Sequence, residues 1–355
     1  PPGMTRFRDD PDWARDGQGM TLDAVRWGFR MLAGRNPLNE VEVEAFRAMP
    51  HLGAMRRTLA NTHEFHAFFG ALFSAKEAWT VPMFLLRPPA AEGLDWVFRP
   101  PDLDRPTSQL CTYAQFADPV FLELIGAMGL RPGLSRPLWE QAWIVALLAT
   151  EGLIVPGRRG AGFVGAPERI ASLLASRGVS VQACVPTLTR PATHVLLDQF
   201  FPEVVPIEDF DACVTLAEVE PGTVAGMPPG AFDFLWSIGM PDRLGAVEPA
   251  LRFFEASLGA LRPGGIAAHC FTLNLTSNAH TWEEPGNVLL RRRDIEALAA
   301  RLLEAGHRLL PLNTHPGADQ ADEEVTSEIG SRPGLRQRRG MMVGTSFGLA
   351  IRKAG

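Results

Sequence analysis

The sequence predicts an α/β fold in which a small helical module precedes a larger domain built on a mostly parallel sheet. In the first part of the chain, hydrophobic residues recur at the spacing of an α-helix. From about residue 156 onward, short apolar runs alternate with helical segments, a pattern typical of parallel sheets. The chain has 355 residues, of which 46% are hydrophobic, so it is long enough to form both parts.

The overall composition argues against several classes of protein. The formal net charge is −6, which does not suit a nucleic-acid groove or an anionic membrane surface. No apolar run reaches the roughly 20 residues that span a bilayer, and the charged, Gly/Pro-rich start is unlike a signal peptide. The cysteines lie far apart without a CxxC pair, so we expect reduced thiols, no metal site and a cytoplasmic protein.

Residues 1–20 are predicted to form a mobile lead-in, and residues 21–79 a helical module. In "TLDAVRWGFRMLAG", Thr21 is the predicted N-cap and Gly34 the predicted stop of the first helix. The hydrophobic residues on one face of this helix are Leu22, Val25, Phe29 and Leu32. Two further segments, "NEVEVEAFRAM" and "LGAMRRTLANTHEFHAFF", are expected to continue the module as short helices.

Residues 80–136 are rich in proline and poor in periodicity, which predicts a connector with one or two short helices. Tyr113, the only tyrosine of the chain, lies in this connector near Gln109, Thr112 and Gln115. Such a polar and aromatic set is unusual in a connector unless it packs over something. We therefore interpret it as a lid across the mouth of a pocket.

The main domain is predicted to cover residues 137–355, and the apolar helix "PLWEQAWIVALLATEGL" leads into it. Seven strands are expected, in the order "RRGAGFVG", "VSVQACV", "CVTLAEVE", "AFDFLWSIG", "IAAHCFTL", "HRLLPLN" and "GTSFGLAIRKA". The helices expected between them include "PERIASLLASRG", "PALRFFEASLGALRPGG" and "RRRDIEALAARLLEAG".

Three of these pieces, "FDFLWS", "LGALRPGG" and "TSFGLAIRK", resemble the class I methyltransferases that depend on S-adenosyl-L-methionine (AdoMet). Asp233 at the start of the fourth strand and the turn at Pro263-Gly264-Gly265 fit that family. The stretch from about residue 138 to 353 resembles a subfamily associated with bacterial surface-glycan gene clusters. "RMLAGRNP" and "LANTHEF" resemble a helical module attached to glycan-modifying enzymes. The resemblance implies a Rossmann-like, seven-stranded methyltransferase sheet and AdoMet as cofactor.

A glycine-rich turn between a strand and a helix lets the backbone approach a ligand closely. Gly160, Gly162 and Gly165 are expected to occupy such a turn, although a tight turn without a ligand is the alternative. The resemblance implies that Glu220 meets the adenine amino group and adds Ser237 to the cofactor site. All five residues are expected to surround one cleft at the carboxyl ends of the strands.

The sequence also departs from the family at polar positions. Val185 stands where a carboxylate normally binds both ribose hydroxyls, Asp242-Arg243 replaces a Glu-His pair, and Thr272 replaces a glutamate. The catalytic candidates that remain are Asp242, His269 and Tyr113. A core histidine is the alternative for His269, and a solvated loop carboxylate is the alternative for Glu220.

Two functions stay open at this point. The first is a methyltransferase acting on a sugar or nucleotide-sugar in surface-glycan assembly. The second is an inactive pseudo-methyltransferase that serves as a binding or scaffold protein. The expected partners are a small-molecule or glycan substrate and either another copy of the chain or a protein partner, without nucleic acid or a transmembrane segment.

Overall fold

The computed structural model describes residues 20–50, 52–65, 79–186, 192–220, 222–284, 286–327 and 334–355. Residues 1–19 of the predicted lead-in and the end of the predicted helical module lie outside the described residues. The chain divides into two compact units, Pro1–Lys76 with Ile329–Ser331, and Glu77–Glu328 with Arg332–Gly355.

The first unit contains three helices, α1 (Leu22–Leu32), α2 (Glu40–Arg47) and α3 (Leu52–Ala60). Thr21 caps α1 as predicted, because its side-chain oxygen accepts a hydrogen bond from the Ala24 N–H at 3.1 Å. The small core of the unit includes Val25, Phe29, Met55 and Leu59. Beside it, Arg35 forms ion pairs with Glu42 and Glu64, each at 2.9 Å.

The second unit contains the sheet and its covering helices. Its described helices are α4 (Pro119–Ala127), α5 (Arg136–Thr150), α6 (Ile170–Ser176), α7 (Ala192–Leu197), α8 (Ile207–Cys213), α9 (Val247–Ser257), α10 (Arg292–Glu304) and α11 (Gln320–Glu323). Short 3-10 helices cover Met83–Leu85, Tyr113–Ala117, Pro241–Arg243 and Leu258–Ala260. Among the described residues, no helix has both the length and the apolar character needed to cross a membrane.

The described strands number fourteen, of which twelve form one sheet. They are β1 (Trp96–Val97), β2 (Ser108–Leu110), β3 (Arg159–Phe163), β4 (Ser180–Pro186), β5 (Val214–Val219), β6 (Phe232–Ile238), β7 (Leu261–Asn274), β8 (Glu283–Glu284), β9 (Asn287–Val288), β10 (Arg308–Leu309), β11 (Leu312–Asn313), β12 (Val325–Ser327), β13 (Arg336–Arg339) and β14 (Met342–Arg352). β8 and β9 form a separate hairpin.

The large sheet confirms the predicted α/β class. Its main path runs β1-β11-β2-β14-β7-β6-β3-β4-β5, and β10, β12 and β13 attach beside it. Strands β3 to β7 are parallel to one another, whereas β14 is antiparallel to β7 and β2. Strand order therefore reverses between β3 and β6, which places a crevice at the carboxyl ends of these strands.

The predicted number of seven strands was wrong, since the sheet has twelve. The run "HRLLPLN" forms two short strands, β10 and β11, on either side of Pro311, which has no N–H to donate to a ladder. The connector supplies β1 and β2, and β2 lies between β11 and β14. β13 precedes Gly340 and β14 follows it, and the two strands pair as an antiparallel hairpin.

Two polar residues of the connector, Gln109 and Gln115, are buried and hydrogen-bonded within the second unit. Gln109 is a buried residue of β2, and its side-chain oxygen accepts hydrogen bonds from Thr107. Gln115 is also buried, and its side-chain oxygen accepts a hydrogen bond from Trp139 Nε1 at 2.9 Å and one from the Thr112 N–H. Internal hydrogen bonding therefore explains why these residues are polar.

Candidate functional site

The carboxyl ends of β3, β6 and β7, where a ligand crevice is expected, bring together side chains from distant parts of the chain. The loop after β3 contributes Glu168, and the loop after β6 contributes Asp242 and Arg243. The first turns of α5 contribute Arg136 and Glu140. In open α/β sheets this edge is where ligands bind, because loops from several strands meet there.

Two carboxylates lie side by side in this crevice. The Ser346 hydroxyl donates to Glu140 Oε1, while the Thr272 hydroxyl donates to Asp242 Oδ2 at 2.8 Å. The Thr272 N–H also points at the Asp242 carboxylate, at 3.0 Å from Oδ1. Ser346 and Thr272 are directly opposite each other on β14 and β7, so their side chains share one face of the sheet. The sheet thereby holds both acids at neighbouring positions.

The pKa of both carboxyl groups is raised above its ordinary value. Burial raises the pKa of Glu140 to about 7, an effect opposed by the Ser346 hydroxyl and by Arg136, and increased by Asp242. Burial likewise raises the pKa of Asp242, against the hydrogen bonds from Thr272. Each side chain nevertheless keeps part of its surface exposed. Carboxyl groups with raised pKa values are common in functional sites.

A third carboxyl group is that of Glu168, which lies in the loop between β3 and α6. It is 5% exposed, and Trp236 Nε1 donates to its Oε1 at 2.6 Å. Burial raises the pKa of Glu168 to about 7, the Trp236 hydrogen bond lowers it, and the charge of Glu140 raises it further. Since Glu140 and Glu168 affect each other, the three acids form one electrostatic cluster.

The stability of the protein should depend on this cluster. A carboxyl group with a raised pKa favours the folded state below its ordinary value of 4.5, and this contribution is lost as the pH rises through about 7. We therefore expect the free energy of unfolding to be lower at about pH 8 than at about pH 5.5. Replacing Glu168 with glutamine should recover about 2 kcal/mol at pH 8, because the amide carries no charge.

Urea unfolding at several pH values measures this effect. Glu123→Gln, on the exposed surface of α4, is the matched control and should leave the pH profile unchanged. A Glu168→Gln variant with the same pH profile as the parent protein would contradict the raised pKa.

The structure changes the interpretation of the glycines. Gly160 and Gly162 lie within β3 and not in the turn that follows it. A Cβ at Gly160 would lie 2.3 Å from Phe234 Cε2, and one at Gly162 would lie 2.2 Å from Trp236 Cζ2. These two glycines are therefore required by the aromatic rings of β6, a packing reason that involves no ligand.

Gly165 differs from these two glycines, since it lies in the turn and is exposed. A Cβ there would lie 2.3 Å from Arg243 Nη1, so the guanidinium group lies over the turn. Asp233 lies at the opposite, amino end of its strand, where its carboxylate accepts a hydrogen bond from the Arg159 N–H at 2.8 Å. Of the three predicted glycines and Asp233, only Gly165 thus lies in the turn after β3, beside Arg243.

Ser237 and His269 lie in the hydrophobic core and not in the expected cleft. Both are 0% exposed, and Ser237 Oγ is 2.9 Å from His269 Nδ1. The imidazole packs edge-on against Phe253 and Phe254 of α9, and burial lowers the pKa of His269 to about 3. His269 is therefore a neutral core histidine, and Ser237 is its hydrogen-bond partner.

The remaining candidates lie at the same end of the sheet but outside the cluster. Glu220 follows β5, is exposed, and accepts a hydrogen bond from the Thr223 hydroxyl at 3.2 Å. Tyr113 is 41% exposed, and its N–H donates to Asp322 Oδ1 at 2.9 Å.

Val185 is only 2% exposed and belongs to an apolar cluster. The variant Val185→Asp, which the sequence suggests as a repair of the ribose site, would therefore bury a carboxylate. We expect it to destabilise the fold instead of restoring a ribose contact.

The sequence interpretation found Asp242 but missed Glu140, Glu168 and Arg136. A signal for Glu140 exists, since it is the only charged residue between Pro137 and Thr150 of the apolar α5 segment. An acid in such a segment must either reach solvent or find buried partners.

Comparisons with known proteins found similarity at the level of structure only. No protein-family model and no curated protein matches the chain. One similar structure is the 1,6-didemethyltoxoflavin-N1-methyltransferase of Burkholderia thailandensis, which was solved with S-adenosylhomocysteine. It is 12% identical, with 70% of this chain and 92% of that chain covered and a TM-score of 0.39.

Two further similar structures are also methyltransferases. The CcbJ methyltransferase of Streptomyces caelestis is 10% identical, with 62% of this chain and 97% of that chain covered and a TM-score of 0.37. A SAM-dependent methyltransferase of Aquifex aeolicus is 13% identical, with 67% and 95% covered and a TM-score of 0.35. With similarity this low, the function of the present chain has to be argued from its own residues.

Proposed function

We propose that this chain is an AdoMet-dependent methyltransferase that acts on a small molecule. The observation that carries the proposal is the pair of carboxylates, Glu140 and Asp242, which bind directly opposed residues of β14 and β7 and are both partly exposed. A carboxyl group whose pKa lies near neutral pH, as that of Glu140 does, is suited to accept a proton from a substrate. The exposed turn at Gly165 lies at the same edge.

We assign the two ends of AdoMet to two exposed residues at the carboxyl edge of the sheet. The Arg243 guanidinium over Gly165 is placed to bind a carboxylate such as that of the amino-acid end. The exposed Glu220 carboxylate beyond β5 is available to an amino group such as that of adenine. The ribose has no carboxylate on β4, because Val185 is apolar and buried.

When bound, AdoMet supplies a methyl group on a positively charged sulfur. The chain itself has to place the acceptor atom in line with that methyl group and to take up the proton that the acceptor loses. Glu140 and Asp242 are the groups in the crevice that can hold that proton. Methyl transfer needs little more than such alignment, because proximity alone can provide a large part of the rate.

The proposal extends to the acceptor substrate, the cellular location and the partners of the protein. We propose a sugar or nucleotide-sugar of surface-glycan assembly, which is supported by the sequence resemblance. A cytoplasmic location and association with a second copy or a protein partner belong to the same proposal.

A second candidate function is that of a binding protein without catalysis. It is favoured by the apolar Val185, which offers no ribose contact, and by the burial of Ser237 and His269 in the core. In this case the crevice would bind a ligand or partner without methyl transfer.

Titration calorimetry with AdoMet and with S-adenosylhomocysteine tests the proposal. We expect binding in the high micromolar range, about 3 kcal/mol weaker than for a site with a ribose carboxylate. Arg243→Met should weaken AdoMet binding about tenfold further, because a charge-assisted hydrogen bond is lost. Arg252→Met on the exposed side of α9 is the control and should have no effect.

The outcomes separate the candidates. No heat with either ligand would contradict the methyltransferase and favour the binding protein. Unchanged affinity in Arg243→Met would contradict only the assignment of that residue to the amino-acid end.

A further inference from the structure

Two directly opposed residues of β7 and β14, Thr272 and Ser346, hold the carboxyl groups of Asp242 and Glu140 unequally. The Thr272 N–H lies 3.0 Å from Asp242 Oδ1 and 3.1 Å from Oδ2. The Thr272 hydroxyl donates to Oδ2 at 2.8 Å. One residue thus supplies two donors, which together engage both oxygens of the Asp242 carboxylate.

Glu140 receives a single donor. The Ser346 hydroxyl donates to its Oε1, and Oε2 accepts no hydrogen bond from the described residues. Oε2 is also not one of the buried polar atoms that lack a partner in the described part of the chain, so it faces solvent. Glu140 therefore keeps one oxygen open to a ligand.

The difference matters because hydrogen bonds donated to a carboxylate favour its ionised form. A proton on either oxygen of Asp242 would weaken the contacts with Thr272, whereas Glu140 can carry a proton on Oε2 and keep the bond from Ser346. Burial raises the pKa of Asp242, and the N–H and hydroxyl of Thr272 oppose that effect. Burial raises the pKa of Glu140 to about 7.

The other charges around the pair do not distinguish the two acids in this way. Besides burial and hydrogen bonding, the charges of Arg136 and Arg339 lower the pKa of both Glu140 and Asp242. The remaining charged or titratable groups of this cluster are Glu168, Arg243, Cys111 and Cys270. Both thiols are neutral, because burial raises their pKa. The unequal hydrogen bonds therefore decide which acid ionises first.

We propose that Thr272 is a positioning residue that keeps Asp242 ionised, so that Glu140 alone takes the proton that the acceptor loses. The inference rests on the proposed methyltransferase function. In that reaction the acceptor atom gains the methyl group and loses its proton to the Glu140 carboxylate, which becomes a carboxylic acid. S-adenosylhomocysteine leaves as a neutral product. The fixed negative charge of Asp242 makes Glu140 a stronger base than an isolated carboxylate.

Titration of the two carboxyl groups by NMR tests this division of roles without cofactor or acceptor. The full chain carries ¹³C at the side-chain carboxyl groups of glutamate and aspartate, and each signal is identified by its loss in Glu140→Gln or Asp242→Asn. We expect Glu140 to titrate near pH 7 and Asp242 at a lower pH. Asp242→Asn should also lower the pKa of Glu140, because a neighbouring negative charge is removed.

Substitutions of the two hydroxyl residues should act on the two acids separately. Thr272→Val removes the hydroxyl and should raise the pKa of Asp242 by about one pH unit, whereas Thr272→Ser keeps the hydroxyl and should retain the parent value. Ser346→Ala should instead raise the pKa of Glu140. Thr150→Val is the matched control and should change neither pKa, because the Thr150 hydroxyl donates to a backbone carbonyl at the other end of α5.

An Asp242 signal that titrates at the same pH as that of Glu140, or at a higher pH, would overturn the proposal. An unchanged pKa of Asp242 in Thr272→Val would overturn it as well. The two levels of the proposal fail in different ways. A chain that titrates as expected but binds neither AdoMet nor S-adenosylhomocysteine would contradict the methyltransferase function and, with it, the proton transfer. A chain that binds AdoMet but whose two acids titrate in the reverse order would contradict the division of roles alone.

Discussion

Replacing Arg336 with methionine is expected to lower the free energy of unfolding by about 3–5 kcal/mol. The side chain of Arg336 is fully buried and donates to the backbone carbonyls of Asp322 and Cys111, each at 3.1 Å, and of Pro316. Its guanidinium group also lies 5.0 Å from the centre of the Trp79 ring. Methionine keeps much of the volume but leaves these carbonyl groups without a donor.

Part of that loss should come from the partner charge. Asp322 Oδ1 lies 3.7 Å from Arg336 Nη2, and without the arginine its carboxylate would be buried without a compensating charge. The double variant Arg336→Met with Asp322→Asn should therefore be more stable than Arg336→Met alone. Urea unfolding followed by tryptophan fluorescence measures both effects.

The control for this prediction is Arg252→Met, which removes an exposed arginine from α9 and should change stability by less than about 0.5 kcal/mol. A loss of under about 1 kcal/mol in Arg336→Met would show that the buried network is not needed to hold β2, β11 and β13 together.

The second large effect is expected at Gly162, where alanine should lower the free energy of unfolding by about 3 kcal/mol. The new Cβ would lie 2.2 Å from Trp236 Cζ2, far inside van der Waals contact. The indole ring cannot move away easily, because it is fully buried and its Nε1 donates to Glu168 at 2.6 Å. The strain therefore has to displace the strand or the ring.

Gly259→Ala is the matched control, since a Cβ there would meet no atom within 4 Å. It should change stability little. The affinity of folded Gly162→Ala for AdoMet should equal that of the parent protein if this glycine serves packing alone. Selective loss of AdoMet binding without loss of stability would instead restore the interpretation of Gly162 as part of a cofactor turn.

The sequence alone predicted some features of the fold and missed others. It determined the α/β class, the start of α1 at Thr21 and the main strand segments, because periodicity and capping are local properties. It also drew attention to Asp242. The strand count was wrong where local patterns were too short to be recognised, as at β10 and β11 on either side of Pro311.

Only the tertiary structure decided which polar groups meet. Glu140 and Ser346 are 206 residues apart in the sequence. They come together because α5 packs on β14, which pairs with β7. The same strand register buries His269 against α9 and turns Gly162 toward Trp236. Hydrophobic periodicity specifies which face of an element is buried, but strand order and register, set by contacts between distant segments, decide which side chains share that face.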